Sequence, residues 1–322
     1  MEVETPAPLS AATQCWACGS TDTQPWRSGS SAAELSSDDL RITDSRYGRT
    51  LSLDRCNECG FCFADTAEAE QLATLYEGLT DPGYEGSQQG RRSQMRMLVE
   101  LALAARPSAR TVLDVGAASG LLVAEAQSAG LRAIGIEPSQ SLAALARDRN
   151  DADVLCGVLP SPELEGRRYD VVFLVDVIEH VVDPVGLLRH CVEHLAEGGL
   201  LMVATPDMSS LSARLLGSRC WHYRLAHVGY FDKRSLEAAF SRAGLRALEW
   251  HRPVWYFSVA YLPALRSVAL ALRANGSTAD IRLPRGTGRA LRSAWIWRSR
   301  PFLASIGHFI EERLGREGLA TK

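Results

Sequence analysis

Two short cysteine pairs carry the most explicit chemistry in this chain. Cys15-Trp16-Ala17-Cys18-Gly19 and Cys56-Asn57-Glu58-Cys59-Gly60 repeat one C-x-x-C-G pattern. Two residues between thiolates let a tight turn aim both sulfurs at one ion, and the following glycine supplies the positive φ that such a knuckle needs. Two knuckles complete a closed tetrahedral site, so Cys15, Cys18, Cys56 and Cys59 are expected to hold a structural Zn2+ as a zinc ribbon, with strand-like pieces near Leu40–Thr43 and Thr50–Leu53. A redox pair is the alternative for either motif alone, and the glycine-terminated repetition favours the metal. Cys62 is expected to pack beside Phe61 and Phe63, and Cys156, Cys191 and Cys220 to be buried thiols.

A second constellation begins at Asp114-Val115-Gly116-Ala117-Ala118-Ser119-Gly120 and continues with Gly135-Ile136-Glu137-Pro138-Ser139. It extends to Asp176-Val177-Ile178-Glu179-His180 and to Trp221-His222-Tyr223-Arg224-Leu225-Ala226-His227-Val228-Gly229-Tyr230-Phe231. From Arg110 onward, apolar strands alternate with amphipathic helices, as in a parallel sheet covered on both faces. Strands are expected at 111–116, 132–137, 154–155, 169–177 and 200–205, with helices at 120–129, 139–149, 184–196 and 233–243. The expected fold is α/β, a doubly wound Rossmann-like sheet whose ligand belongs at the carboxyl ends of the strands, where the turn 114–120 falls.

An acid, one apolar residue and a glycine-rich turn, followed one strand later by a second acid, resemble the class I S-adenosylmethionine-dependent methyltransferases over about residues 105–250. The resemblance implies that Asp114, Gly116, Ser119, Gly120, Glu137 and Asp176 bind S-adenosyl-L-methionine. Gly116 and Gly120 would let the backbone approach the cofactor, Asp114 would face its positive charge, and Glu137 would take the ribose hydroxyls. The middle position of the turn is Ala118, so it reads G-x-A-x-G. The segment Asp176–Pro184 is similar to that of ubiquinone-type O-methyltransferases, where its acids and histidine are associated with a divalent ion. Here the alternative is that Asp176 contacts cofactor or a loop N–H while Glu179 and His180 cap the next helix. The 221–231 stretch is similar to that of sugar and secondary-metabolite methyltransferases, several of which carry an N-terminal cysteine-rich module. That likeness implies roles for Tyr223 and His227, with His180, in removing a proton from the acceptor. An imidazole titrating near pH 6.5 suits that task.

The 322 residues carry a net charge of −3, with 46% hydrophobic and 23% charged residues, which excludes wholesale disorder and a dedicated nucleic-acid binder. Three regions are expected: a zinc-ribbon module and linker (1–85), the cofactor-binding domain (86–250) and a basic, aromatic helical extension (251–322). The last holds twelve basic side chains against four acidic ones, and 302–314 has the spacing of an amphipathic helix. Its readings are a cap over the acceptor pocket or contact with an anionic membrane surface. The apolar run 253–272 is interrupted by Pro263 and Arg266, which argues against a membrane span. The N-terminus shows no apolar export signal, so a cytoplasmic protein is expected, with peripheral contact at the inner face of the membrane as a further reading. The acceptor is expected to be a small molecule or glycan hydroxyl. C- or N-methylation, a macromolecular acceptor, an NAD-dependent dehydrogenase and a non-catalytic zinc-ribbon adaptor are the alternatives, and oligomeric state is left open.

Overall fold

The computed structural model describes residues 14–30, 35–41, 48–79, 88–217, 220 and 222–251. The expected basic helical extension, including the 253–272 and 302–314 segments, lies outside them. Residues through Glu249 form one compact unit.

Five strands form a parallel sheet: β4 (Thr111–Val115), β5 (Arg132–Glu137), β6 (Val154–Cys156), β7 (Tyr169–Val175) and β8 (Leu195–Ala204), in the order β6-β5-β4-β7-β8. Strands covered on both faces read as continuous apolar runs, and Val171, Val172, Phe173 and Leu174 of β7 are all buried. The order reverses at β4, which lies between β5 and β7, so the turn after β4 sits at the switch point. Asp114 is in register with Gly135 on one side and Phe173 on the other. β8 begins earlier than the expected residue 200, because Gly198, at φ +63°, turns the chain and lets Leu195 pair with Tyr169 before regular pairing resumes at Leu200.

Helices α2 (Gln88–Ala105), α3 (Leu121–Ser128), α4 (Gln140–Asn150), α5 (Pro184–Glu193) and α7 (Lys233–Arg242) accompany the sheet, with α1 (Thr66–Glu77) before it and the short α6 (Leu211–Leu216) after β8. Their starts are written in the sequence. Asp65, Ser139, Asp183, Ser210 and Asp232 each accept a backbone N–H of the first turn, and Pro184 occupies the first position of α5, where its missing N–H costs nothing. Met95, Leu98, Val99 and Ala102 place one face of α2 in the same core as Leu121, Leu122 and Ala126 of α3. Among the described residues no helix is long and apolar enough to cross a membrane.

A second, antiparallel sheet has the order β1-β2-β3-β9, from β1 (Thr23–Arg27), β2 (Leu53–Cys56), β3 (Cys62–Ala64) and β9 (Gly229–Tyr230). β9 follows the parallel sheet in the chain yet pairs with β3, Cys62 opposite Tyr230 and Phe63 opposite Gly229. A Cβ at Gly229 would press on the Phe61 ring, so only glycine lets the strands close here. Phe61, Phe63, Phe231 and Trp16 pack around the join, with Phe61 and Phe231 ring centroids 4.4 Å apart.

Four local expectations are corrected. The strand expected at 40–43 is replaced by a 3-10 turn, Ser37–Leu40, held by mutual Ser36 and Asp39 caps, with Ile42 and Thr43 outside the described residues. The strand expected at 50–53 runs instead from Leu53. Cys156 is exposed, because it ends the edge strand β6, whereas Cys191 and Cys220 are buried as expected; Cys62 is buried in the core of Leu53 and Tyr230 and not in the one that holds Phe61 and Phe63.

Candidate functional site

A cleft opens at the carboxyl ends of β4 and β7, lined by Arg91, Met95, Asp114, Gly116, Ser119 and Asp176, with Ala117, Ala118, Leu121, Leu122 and Val175 completing its wall. Four of the six residues assigned to the cofactor therefore converge. Asp114 is 3% exposed, and among the described residues none hydrogen-bonds its carboxylate. Burial, and secondarily the charge of Glu137, push its pKa up to about 7. The Ser119 hydroxyl is buried without a hydrogen-bond partner among the described residues, while its carbonyl accepts Asn150 Nδ2 at 2.8 Å. An unpaired acid and an orphaned hydroxyl facing one cleft suit a polar, positively charged ligand.

Glu137 stands behind the turn. Its two oxygens accept the N–H groups of Ala118 (2.8 Å) and Ser139 (2.9 Å), which fixes the carboxylate although burial raises its pKa. Ala118 adopts φ +47°, a left-handed conformation normally given to glycine, and its N–H is held by Glu137 in return. The glycines have a further reason beside the one expected. A Cβ on Gly116 (φ +78°) would collide with Val177, and one on Gly120 (φ +72°) would meet Ala152 and Ala146, so both are demanded by the chain's own packing as well as by φ.

The second cluster lies past β7. Asp176 ends that strand at φ +54°, its N–H bound to Ala204 O, and the following 3-10 turn Ile178–His180 presents Glu179 and His180. His180 Nδ1 lies 2.6 Å from the Ala226 carbonyl, so that nitrogen carries the proton and Nε2 keeps its lone pair. Val228 N–H donates to Glu179 O at 2.9 Å, and these two bonds bracket His227. The His180 and His227 rings stand edge to face with centroids 4.8 Å apart, and His222 lies 6.5 Å from His227.

Burial, then the neighbouring His180, His222 and Arg224, hold His227 well below its ordinary pKa, and burial takes His180 down to about 4. The expectation of an imidazole titrating near pH 6.5 is thereby corrected, since burial favours the neutral form of both rings. Tyr223 is turned to Arg27, whose guanidinium lies 4.4 Å over its ring, and to Trp26 and Tyr230. Tyr230, 6.2 Å from His227, is the tyrosine beside that imidazole. Thr205 was not singled out by the sequence, yet its hydroxyl donates to Glu179 Oε2 at 2.9 Å. The adjacency of β7 and β8, readable from the strand order, is the signal that could have found it.

The four cysteines of the paired motifs also converge. Their sulfurs lie within 4.8 Å of one another, with Cys15 to Cys59 at 3.6 Å and Cys18 to Cys56 at 3.5 Å. Tetrahedral zinc–thiolate bonds of about 2.3 Å imply sulfur separations of about 3.8 Å. Gly19 and Gly60 both take φ +82°, and their N–H groups bond Cys15 O and Cys56 O, so each knuckle is closed as its sequence requires. The donor set fits a structural tetrathiolate ion.

A parallel sheet reversing at β4, with an acidic glycine turn at the switch point and a second acid one strand on, defines a nucleoside-binding Rossmann-like unit. The family described as "Methyltransferase domain" matches residues 87–249, and the chain belongs to it. The ubiquinone biosynthesis O-methyltransferase of Bradyrhizobium diazoefficiens is 37% identical over 100 residues, 29% of this chain and 39% of that protein. The chain thus matches well under half the length of that relative. The enzyme of the same description from Bordetella avium is 29% identical over 215 residues, covering 61% of this chain and 89% of its own. A solved S-adenosylmethionine-dependent methyltransferase of Thermotoga maritima, described as a possible histamine N-methyltransferase, is 25% identical, with a TM-score of 0.42 over 51% of this chain and 76% of that one.

Proposed function

We propose that this protein is an S-adenosylmethionine-dependent methyltransferase that methylates a hydroxyl of a small molecule. The observation that carries the reading is the buried, unpartnered Asp114 carboxylate facing the cleft at the switch point, and membership of the methyltransferase family supports it. S-adenosylmethionine, when bound, supplies a methyl group on a positively charged sulfur. Asp114 meets the positive charge of that ligand, Ser119 offers its spare hydroxyl, and Glu137, oriented by two backbone N–H groups, takes the ribose hydroxyls. A pyrophosphate would be repelled by Asp114, which argues against a dinucleotide. The O-methyltransferase relatives favour oxygen as the methylated atom.

His180 and His227 form the acceptor side, with Tyr223 holding the loop against Arg27. Each imidazole is neutral and so has a lone pair to offer the acceptor hydroxyl or an ion beside it. The tetrathiolate cluster is proposed to hold one structural Zn2+, which elemental analysis of wild type and Cys56→Ser tests. The methyltransferase reading is tested by isothermal titration with S-adenosylmethionine, followed by a screen of phenols, sugars and lipid-linked glycans with the labelled cofactor. Binding in the micromolar range and label on an oxygen are expected, and failure to bind S-adenosylmethionine while NAD binds would overturn it. His227→Ala is expected to lower kcat by about 10²–10⁴-fold with cofactor affinity intact.

A further inference from the structure

Glu179, His180 and His227 come from two distant segments, yet their ligand-capable atoms all lie within 4.8 Å of one another. We infer that these three side chains form a binding site for a transition-metal dication of the zinc, cobalt or manganese type, separate from the cysteine cluster. Three features of the geometry support this. His180 donates Nδ1–H to the Ala226 carbonyl, which fixes the ring and leaves Nε2 as the coordinating atom, the orientation that metal-binding histidines usually receive from such a partner. Thr205 holds Glu179 Oε2, while Oε1 is buried with no hydrogen-bond partner among the described residues. A carboxylate oxygen so placed, on a side chain only 2% exposed, is stabilised by a cation held between it and the two imidazoles. The third feature is the pair of hydrogen bonds, Val228 N to Glu179 O and His180 Nδ1 to Ala226 O, which bracket His227 and fix it against the 3-10 turn without any metal.

The donor set decides the kind of ion. Magnesium and calcium prefer oxygen ligands, whereas two imidazole nitrogens and one carboxylate oxygen suit borderline transition metals and leave positions for water or substrate oxygen. This set differs from the Asp176, Glu179 and His180 group that the family resemblance implies. Among the described residues Asp176 falls in the cofactor cleft and His227 takes the third position. Arg224 lies close enough to depress the pKa of both histidines, and its charge opposes a cation. An ion bound through nitrogen lone pairs tolerates that field better than one held by charge alone. A ring that gives its lone pair to a metal cannot also accept a proton, so with the ion bound the acceptor hydroxyl would be activated by coordination, which lowers its pKa.

The test is a titration of full-length, zinc-loaded protein with Co2+, read by visible absorption and needing neither methyl donor nor acceptor. Its failure therefore leaves the methyltransferase reading standing, and failure of that reading leaves this one testable. One further equivalent is expected, with weak ligand-field bands and none of the intense thiolate-to-cobalt absorption that would report the cysteine cluster. His227→Ala and Glu179→Gln should each weaken binding by about 100-fold, Thr205→Val by about tenfold through loss of ligand orientation, and Asp176→Asn far less than either ligand variant, through loss of its nearby charge on Glu179 alone. Thermal unfolding of each variant separates lost ligands from lost fold, and His227→Gln provides a second substitution at the position from the distant segment. The inference fails if wild type takes up no Co2+ beyond the cysteine site, or if Asp176→Asn abolishes uptake while His227→Ala and His227→Gln retain it.

Discussion

Asp114 is the residue on which pH should act. Its folded pKa, about 7, is raised above the unfolded carboxylate value of about 3.9, so its protonated form stabilises the ligand-free fold. That contribution is complete below the unfolded value and is lost as pH rises to the folded one. Ligand-free protein should accordingly lose stability between about pH 4 and pH 7, and Asp114→Asn should flatten the loss in a series of thermal melts. A positively charged ligand reverses the preference. Affinity for S-adenosylmethionine is expected to climb between about pH 6 and pH 8, with proton release visible as a buffer-dependent heat, and both effects should vanish in Asp114→Asn. Glu137 carries a double burden: Glu137→Ala removes a ribose partner and also orphans the N–H groups of Ala118 and Ser139. It should lower cofactor affinity by about 1–3 kcal/mol and melting temperature together, so affinity alone would overstate the ribose contribution.

At the level of elements, the parallel sheet was legible because its strands are long, apolar and punctuated by capping residues, and β5 runs over the predicted residues, Arg132–Glu137. The glycine turn at the switch point was legible for the same reason, since glycines with an acid before them leave a local signature. The packing reason for those glycines was not, because Val177 and Ala152 reach them from other parts of the chain. Gly116→Val is expected to destabilise the fold itself through both φ and the Val177 contact, with a loss of roughly 1–3 kcal/mol or more in denaturant melts even without ligand. The histidine cluster was legible only as a set of residues. Which tyrosine meets His227, and that His227 meets Glu179, depend on a two-residue strand paired to a distant partner, and a strand so short has no periodicity to read.

On the scale of the whole molecule, the cysteine module and the histidine loop are mechanically joined. Ala64 N–H bonds Val228 O, Gly48 N–H bonds Tyr223 O, and Arg27 binds Gly48 O while lying over the Tyr223 ring. A metal at the cysteine cluster would therefore act on the histidine loop as well as on the stability of the fold. Removing a thiolate by Cys56→Ser, or the ion by chelation, should release β3 and with it the segment 222–230. Hydrogen exchange at Val228 and Tyr230 is expected to accelerate before the parallel sheet opens, and kcat should fall more steeply than cofactor affinity. Equal protection at those amides in wild type and variant would show the two parts to be uncoupled.

The pairing of β3 with β9 also sets an order of events during synthesis. β3 leaves the ribosome with its edge unsatisfied, and its partner emerges only after every strand of the parallel sheet has been made. Exposed strand edges invite association with other chains, and long-range pairings are slow because a large loop must close first. The nascent chain thus carries an open edge beside its paired-cysteine knuckles until β9 seals it.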